Sequence, residues 1–244
     1  PKKRYKIMSE YMPQVGSKGL DMMLRTATQI LLHIKSFSIS NSNDVYKYST
    51  RIKWHEIFDI SKTFSVSSTV NSNLFNHSNY PSLLLKDAIV DYFRKIKNKR
   101  PSVETKNPDI KINIHIQQNL CNISLDSSGE LLYKRGYRKD VSYAPINEVL
   151  AAGIIKITGW RSEIPFFDPM CGSGTFLIES AMIANKISAN MSREQFGFCK
   201  WKNFNQKLFL KIKNDLKKIV VDSKAVIYGS DIQQRNIRKC RKNI

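Results

Sequence analysis

The alternation of apolar and polar positions is sharpest between residues 63 and 125, where it predicts a sheet. Residues 63–70 (TFSVSSTV), 110–117 and 120–125 each repeat with period two, and the last two are joined at Gln118 and Asn119 by a two-residue hairpin connection. Residues 82–97 instead show helical spacing, with Leu84, Ala88 and Phe93 among the apolar positions and Ser82 as a cap after Pro81. Residues 45–54 also read as a helix, and 131–134 as a further short strand after a turn at 127–129. Upstream, 20–34 has helical spacing, with Leu24, Ala27, Leu31 and Ile34 on one face. Downstream the order changes to a helix 148–157 capped by Asn147, a short apolar strand ending at Asp168, and a helix 175–185. An insertion at 186–224 containing an amphipathic helix at 207–221 follows, then a second buried strand 225–229 (AVIYG) and a helix 233–242. The pattern is α+β over 44–138, and α/β with parallel strands beyond it.

Residues 166–175, FFDPMCGSGT, concentrate the candidate chemistry. A strand, an acid, a proline, two glycines and a helix start follow one another, as where an open α/β sheet holds a cofactor. Gly172 and Gly174 can take backbone angles closed to other residues, and the loop amides and helix start then face the ligand. A phosphate loop would need Lys and then Ser or Thr after its last glycine, but Thr175 and Phe176 follow Gly174. The dinucleotide fingerprint fails too, because its third glycine would fall at Leu177 and Asp168 would repel a pyrophosphate. A carboxylate beside glycine-opened backbone suits a cofactor with positive groups, and S-adenosylmethionine carries an ammonium and a sulfonium. Asp231, after the second strand, can accept two hydrogen bonds from ribose hydroxyls, a role compatible with capping the next helix. It lies much farther along the chain than the roughly 20 positions of the dinucleotide rule. The insertion at 186–224 accounts for the excess.

These residues carry a family resemblance. DPMCGSGTFLIESAMIA (168–184) resembles the first cofactor-binding motif of the S-adenosylmethionine-dependent methyltransferases that carry a THUMP RNA-binding domain. Within them it is most similar to bacterial large-subunit (23S) ribosomal RNA guanine-N2 methyltransferases, historically labelled N6-adenine-specific DNA methylases. LRTATQILL (24–32), DSSGELLYKRGYR (126–138) and APINEVLAA (144–152) match in the same order. The resemblance implies a remnant of an N-terminal subdomain at 1–43, a THUMP domain at 44–138, a linker at 139–147 and the first, incomplete part of a Rossmann-like methyltransferase domain at 148–244. S-adenosylmethionine would be held by Asp168, Pro169, Met170, Cys171, Gly172, Gly174, Thr175 and Asp231. Pro145, Ile146 and Asn147 would lie beside its methionine end, although a helix cap and its flanks explain them equally well. The Asn-Pro-Pro-Tyr motif with which such enzymes hold a target amine does not occur. The expectation is therefore a chain truncated before that motif, inactive alone, with no catalytic residue to nominate. The implied parent reaction is methyl transfer to the N2 amine of a guanine in large-subunit rRNA. The alternatives are an N6-adenine DNA methyltransferase and a non-catalytic RNA-binding fragment.

Composition changes this picture chiefly through charge. Forty Lys and Arg against 20 Asp and Glu give a net charge of +20 and a pI near 9.8, as in proteins that neutralise phosphates. A Lys-rich composition spread over solvated faces would give the same total, and both readings contribute. Clustering nominates Arg94, Lys97 and Arg100 at one helix end, and Lys134, Arg135 and Arg138 near a strand end, as contacts to ribosomal RNA. The helix dipole also favours cations in a last turn. Phe196, Phe198 and Trp201 in the insertion could stack bases, but packing onto their own domain is the preferred reading. Cys121, Cys171, Cys199 and Cys240 show no metal-ligand or redox spacing, and no metal is expected. No apolar run approaches the roughly 18 residues of a membrane span and no signal peptide is evident at the start, so a cytoplasmic location is expected.

Overall fold

The computed structural model describes residues 17–140 and 144–244. The start of the expected N-terminal remnant (1–16) and part of the expected linker (141–143) lie outside the described residues. The chain divides into two compact units. The first comprises residues 30–129 and 195–204; the described part of the second comprises 17–29, 130–140, 144–194 and 205–244.

In chain order the elements are α1 (Ser17–Met23), β1 (Leu31–Ser38), α2 (Asn43–Ser49), α3 (Trp54–Ile57), β2 (Phe64–Asn71), α4 (Tyr80–Lys97), β3 (Ile110–Gln117) and β4 (Leu120–Asp126). There follow α5 (Glu148–Ile157), β5 (Phe166–Asp168), α6 (Thr175–Ala184), a 3-10 turn (Gly197–Lys200), α7 (Gln206–Lys218), β6 (Ile227–Gly229) and α8 (Gln234–Asn243).

The first unit is built on a four-stranded sheet of order β1-β4-β3-β2, in which β2 and β3 run parallel and the other pairs antiparallel. The alternation read from the sequence is the burial pattern of β3: Ile110, Ile112, Ile114 and Ile116 point inward and are fully buried or nearly so. Helix α4 packs on β2 and β3 with Leu85, Ala88, Ile89 and Phe93 buried, and Phe58 packs between Phe64 and Phe93 at ring separations of 5.8 and 5.2 Å. The hairpin needs a left-handed residue, and Gln118 supplies it at φ 52°. Helix α4 starts two residues before Ser82, so Ser82 does not cap it; its hydroxyl donates back to the Asn79 carbonyl at 2.7 Å.

Three expected elements differ. The helix expected at 20–34 is α1 followed by strand β1, whose residues pair with β4 from Leu31 opposite Asp126 to Ser38 opposite Leu120. Strand pairing along this length overrides a helical spacing that four apolar residues had suggested. The helix expected at 45–54 is split into α2 and α3, and the Trp54 indole turns back to donate to the Ser49 carbonyl at 3.0 Å. The strand expected at 131–134 is a turn: Lys134 N bonds Leu131 O and Arg135 N bonds Tyr133 O. Leu132 and Arg135, three positions apart, are thereby both buried.

The insertion's aromatic residues are buried, but in the first unit rather than beside the helices that flank them in sequence. Phe196 and Phe198 stack at 5.2 Å, Phe198 N bonds Ser127 O, and Lys202 N bonds Ile57 O. Gly197 makes this possible. A Cβ there would lie 2.6 Å from the Asp126 carbonyl oxygen and 2.9 Å from Gly129 N, so only a bare backbone fits. The partner turn is fixed by Asp126, whose Oδ1 accepts from Ser128 N and Gly129 N.

The second unit pairs β5 with β6 in parallel, Asp168 opposite Gly229, with α6 against both strands. Cys171, Leu177 and Cys240, with Phe166, Ile227 and Ile237, form its core around the strand ends. The expected second buried strand is half exposed: Tyr228 is 57 % accessible. Asn147 caps α5 as expected, accepting from Val149 N and Leu150 N at 2.9 and 3.2 Å.

Candidate cofactor site and basic surfaces

Because β5 and β6 are parallel and in register, the residues that leave them emerge at one end of the pair. Ser230 N bonds the Asp168 carbonyl at 2.9 Å and Cys171 N bonds the Ser230 carbonyl at 2.8 Å, lacing the two exits together. Asp231 then reaches across to the glycine loop, its Oδ2 accepting from Gly172 N at 3.0 Å. Its Oδ1 accepts from Gln233 N at 2.8 Å and Asn236 Nδ2 at 3.0 Å. The Gln233 amide, then the Asn236 and Gly172 donors, hold the Asp231 carboxyl below the usual carboxylate range. Asp168, Gly172, Gly174 and Asp231 are thus brought to the same end of the strand pair.

The loop amides do not face outward as a group. Met170 N donates to its neighbour Asp168 Oδ1 at 3.0 Å, and Gly174 N to the Cys171 carbonyl at 2.8 Å, while those of Cys171 and Gly172 are engaged as above. A phosphate needs such amides; a cofactor with hydroxyl and ammonium donors needs the acceptors that remain, the carboxylates. The two glycines serve different ends. A Cβ on Gly172 (φ 54°) would meet nothing within 4 Å, leaving room beside the loop for a ligand to approach the backbone. A Cβ on Gly174 (φ 87°) would lie 2.6 Å from the Cys240 Sγ of α8, so this glycine is required by helix packing.

Among the other nominated positions, Pro169 and Met170 are exposed, Met170 to 82 %. The side chains of Cys171 and Thr175 point inward. Cys171 sits in the apolar core, where burial pushes its thiol up to about 11. The Thr175 hydroxyl accepts from Arg138 at 3.0 Å. Neither side chain is exposed. Arg138 also donates to the Ile146 carbonyl at 3.0 Å and pairs with Glu148 at 3.2 Å. Burial pushes the Glu148 carboxyl up, against the pull of Arg138, and its second oxygen is buried without a hydrogen-bond partner. Asn243, also buried, clamps the loop from α8: it accepts from Lys139 N and Asp140 N and donates to Ser173 O.

The nominated RNA contacts separate sharply. Arg135 is 1 % accessible and is a structural residue: it donates to Glu179, to the Leu132 carbonyl and to the Arg25 carbonyl. Glu179, fully buried on α6, also accepts from Arg25 at 2.7 Å and from the Tyr137 hydroxyl at 3.3 Å. A phosphate cannot reach Arg135, and Arg138 is held by Glu148 and the loop. Lys134 is exposed and paired with Glu130. Arg94, Lys97 and Arg100 are exposed on the first unit, Arg94 next to Asp91 at 3.1 Å. The arginine–glutamate cluster was missed at the level of sequence; its only local sign is a lone acid inside the apolar helix TFLIESAMIA.

Two family models match in tandem, the THUMP domain over residues 40–126 and the RMKL-like methyltransferase domain over 135–244. The chain thus carries a THUMP domain followed by an RMKL-like methyltransferase domain. A protein named ribosomal RNA large subunit methyltransferase K/L from Buchnera aphidicola is 41 % identical over 228 residues, covering 91 % of this chain and 33 % of the relative. The protein of the same name from Psychromonas ingrahamii is 40 % identical over 223 residues, covering 90 % and 30 %. The chain therefore spans about a third of the length of the curated relatives it matches. A possible methylase from Clostridium difficile superposes with a TM-score of 0.83 at 32 % identity, covering 94 % of this chain and 61 % of that one. The SMU.472 protein, solved as a complex with SAH, superposes at 0.80 and 28 % identity, covering 93 % and 60 %. A predicted N6-adenine-specific DNA methylase from Listeria monocytogenes gives 0.83 at 26 %, covering 93 % and 60 %. Among the described residues, no helix is long and apolar enough to cross a membrane, and no group of three or more His, Cys, Asp or Glu could hold a metal ion.

Proposed function

We propose that this chain supplies the S-adenosylmethionine site and an RNA-binding domain of an enzyme that methylates the N2 amine of a guanine in large-subunit ribosomal RNA. The observation that carries the cofactor reading is the acid pair, Asp168 and Asp231, at one end of two parallel strands, beside a glycine whose missing Cβ faces open space. The names of the Buchnera and Psychromonas relatives, and the SAH complex of SMU.472, support the substrate and the cofactor. In this reading Asp168, Pro169, Met170, Cys171, Gly172, Gly174, Thr175 and Asp231 make up the cofactor-binding set, with Asp168, Gly172 and Asp231 facing the ligand and Gly174 and the buried Cys171 and Thr175 shaping the loop behind them. The proposed domains are 44–138 for RNA binding and 148–244 for the cofactor, with 1–43 preceding them and 139–147 between them.

When bound, S-adenosylmethionine supplies an activated methyl group on its sulfonium. The chain's own contribution is positional. Asp231, ionised and pre-oriented by Gln233 and Asn236, accepts from cofactor hydroxyls without reorganising, and Gly172 lets the ligand lie close to the backbone. Asn243 and the Arg138–Glu148 pair keep loop and helix start in place. The exocyclic amine of guanine has its lone pair delocalised into the ring, so alignment and exclusion of water matter more than a strong base. The base must be unstacked to reach the cofactor.

Calorimetric titration of this chain with S-adenosylmethionine tests the cofactor assignment. Asp231→Asn and Asp168→Asn should each weaken affinity about tenfold, as expected when hydrogen bonds to a charged acceptor are removed. Unchanged affinity in folded variants would overturn it. Methyl transfer by a protein of the relatives' full length, compared on ribosomal RNA and duplex DNA, tests the substrate. Transfer to adenine in DNA would favour the activity named for the Listeria protein.

A further inference from the structure

The first unit contains a cavity of about 580 Å³ between β1, the α2–α3 segment and the inserted turn. Its walls are apolar, formed by Leu32, Phe37, Leu125 and Trp201, and its size lies within the roughly 300 to 1,000 Å³ typical of sites for small organic groups. Phe37 and Tyr48 meet there at 5.1 Å and 45°, and the Arg51 guanidinium lies 5.2 Å from the Tyr48 ring centre. Lys35, Arg51 and Lys53 are exposed lining residues, against one acid, Glu56, which pairs with Lys53 at 3.3 Å. Among the described residues neither Lys35 nor Arg51 is in an ion pair with a carboxylate.

We propose that this cavity receives one unpaired nucleotide of an RNA strand, its base against the Phe37–Tyr48 pair and its flanking phosphates on Lys35 and Arg51. An apolar, aromatic recess rimmed by cations matches the two chemistries of a nucleotide, a π-face and an anionic backbone. A paired base could not enter, because its faces are covered by the neighbouring bases of the duplex stack. The net charge of +20 favours a polyanion over an apolar peptide as occupant. This site is separate from the basic end of α4, and it rests on the RNA-substrate part of the reading above, not on its cofactor part.

Fluorescence anisotropy of the whole chain with an unstructured RNA, the same strand bearing abasic positions, and an RNA duplex tests the proposal. The intact strand should bind about tenfold or more tighter than the abasic one. Tyr48→Leu and Phe37→Leu should erase that difference without changing the dependence on salt. Arg51→Gln with Lys35→Gln should lower the slope of log affinity against log salt by about 0.7 for each phosphate no longer neutralised. Both of these cations are exposed, so this pair of substitutions keeps the test decisive where an aromatic variant does not fold. Equal binding of intact and abasic strands, duplex binding that needs the same residues, or displacement by polyglutamate as readily as by RNA would each overturn the assignment. Calorimetry with S-adenosylmethionine on the same preparations separates the two readings: loss of cofactor binding alone leaves the nucleotide site standing, and loss of base-dependent binding alone leaves the cofactor site standing.

Discussion

Glu179 is fully buried on α6, whose other residues are uncharged, and pairs with Arg25 and Arg135, with the Tyr137 hydroxyl as a third donor. Removing one partner of such a group leaves an uncompensated charge in a low dielectric, which costs about 3 to 5 kcal/mol. Glu179→Ala should therefore lower the free energy of unfolding in urea by that amount, whereas Lys134→Gln, an exposed surface change, should stay within about 0.5 kcal/mol. An RNA-binding defect in an Arg135 variant would accompany this destabilisation. The difference between the two kinds of basic residue was not legible in KRGYR, because it depends on an acid 44 positions away on α6. Asp168 and Asp231 were legible for the opposite reason: a strand, an acid and a glycine loop are consecutive, and the parallel pairing of two short apolar runs then brings the acids together.

At the scale of elements, period-two alternation located β3 at 110–117, because a strand with one face on a core must alternate. Four apolar residues at helical spacing misled at 20–34, where pairing with β4 decides the conformation. The insertion shows a further limit. Residues 195–204 lie in sequence between two helices of the second unit, yet they fold with the first, through Gly197 against the Asp126 turn and Phe198 at full burial. Hydrogen exchange should then protect the amides of Phe198 and Lys202, which bond Ser127 and Ile57, to the same extent as the core of β3 and β4. Phe198→Ala should cost about 3 to 5 kcal/mol and speed exchange in β3 and β4. Faster exchange confined to α6 and α7 would show that the segment belongs energetically to its sequence neighbours.

For the whole molecule, the charge of +20 must be apportioned between specific contacts and a diffuse field. The dipole of α4 accounts for part of the cluster at its end, and Asp91 already partners Arg94. Lys97, Lys99 and Arg100 are exposed, as are Lys207, Lys211 and Lys217 on α7, so the two triplets differ in place and not in charge. If the α4 end contacts phosphates, neutralising its triplet to Gln should reduce the salt slope of RNA binding by about 2, while the α7 triplet should leave the slope nearly unchanged. S-adenosylmethionine affinity should be unaffected by the α4 triplet, since its residues lie in the first unit and the acid pair in the second. A diffuse field would instead give equal slope reductions for both triplets, because long-range attraction depends on net charge and not on which three cations are removed. Anisotropy titrations from low to physiological salt read the two slopes directly, and equality between them would remove the α4 end as an RNA-binding surface.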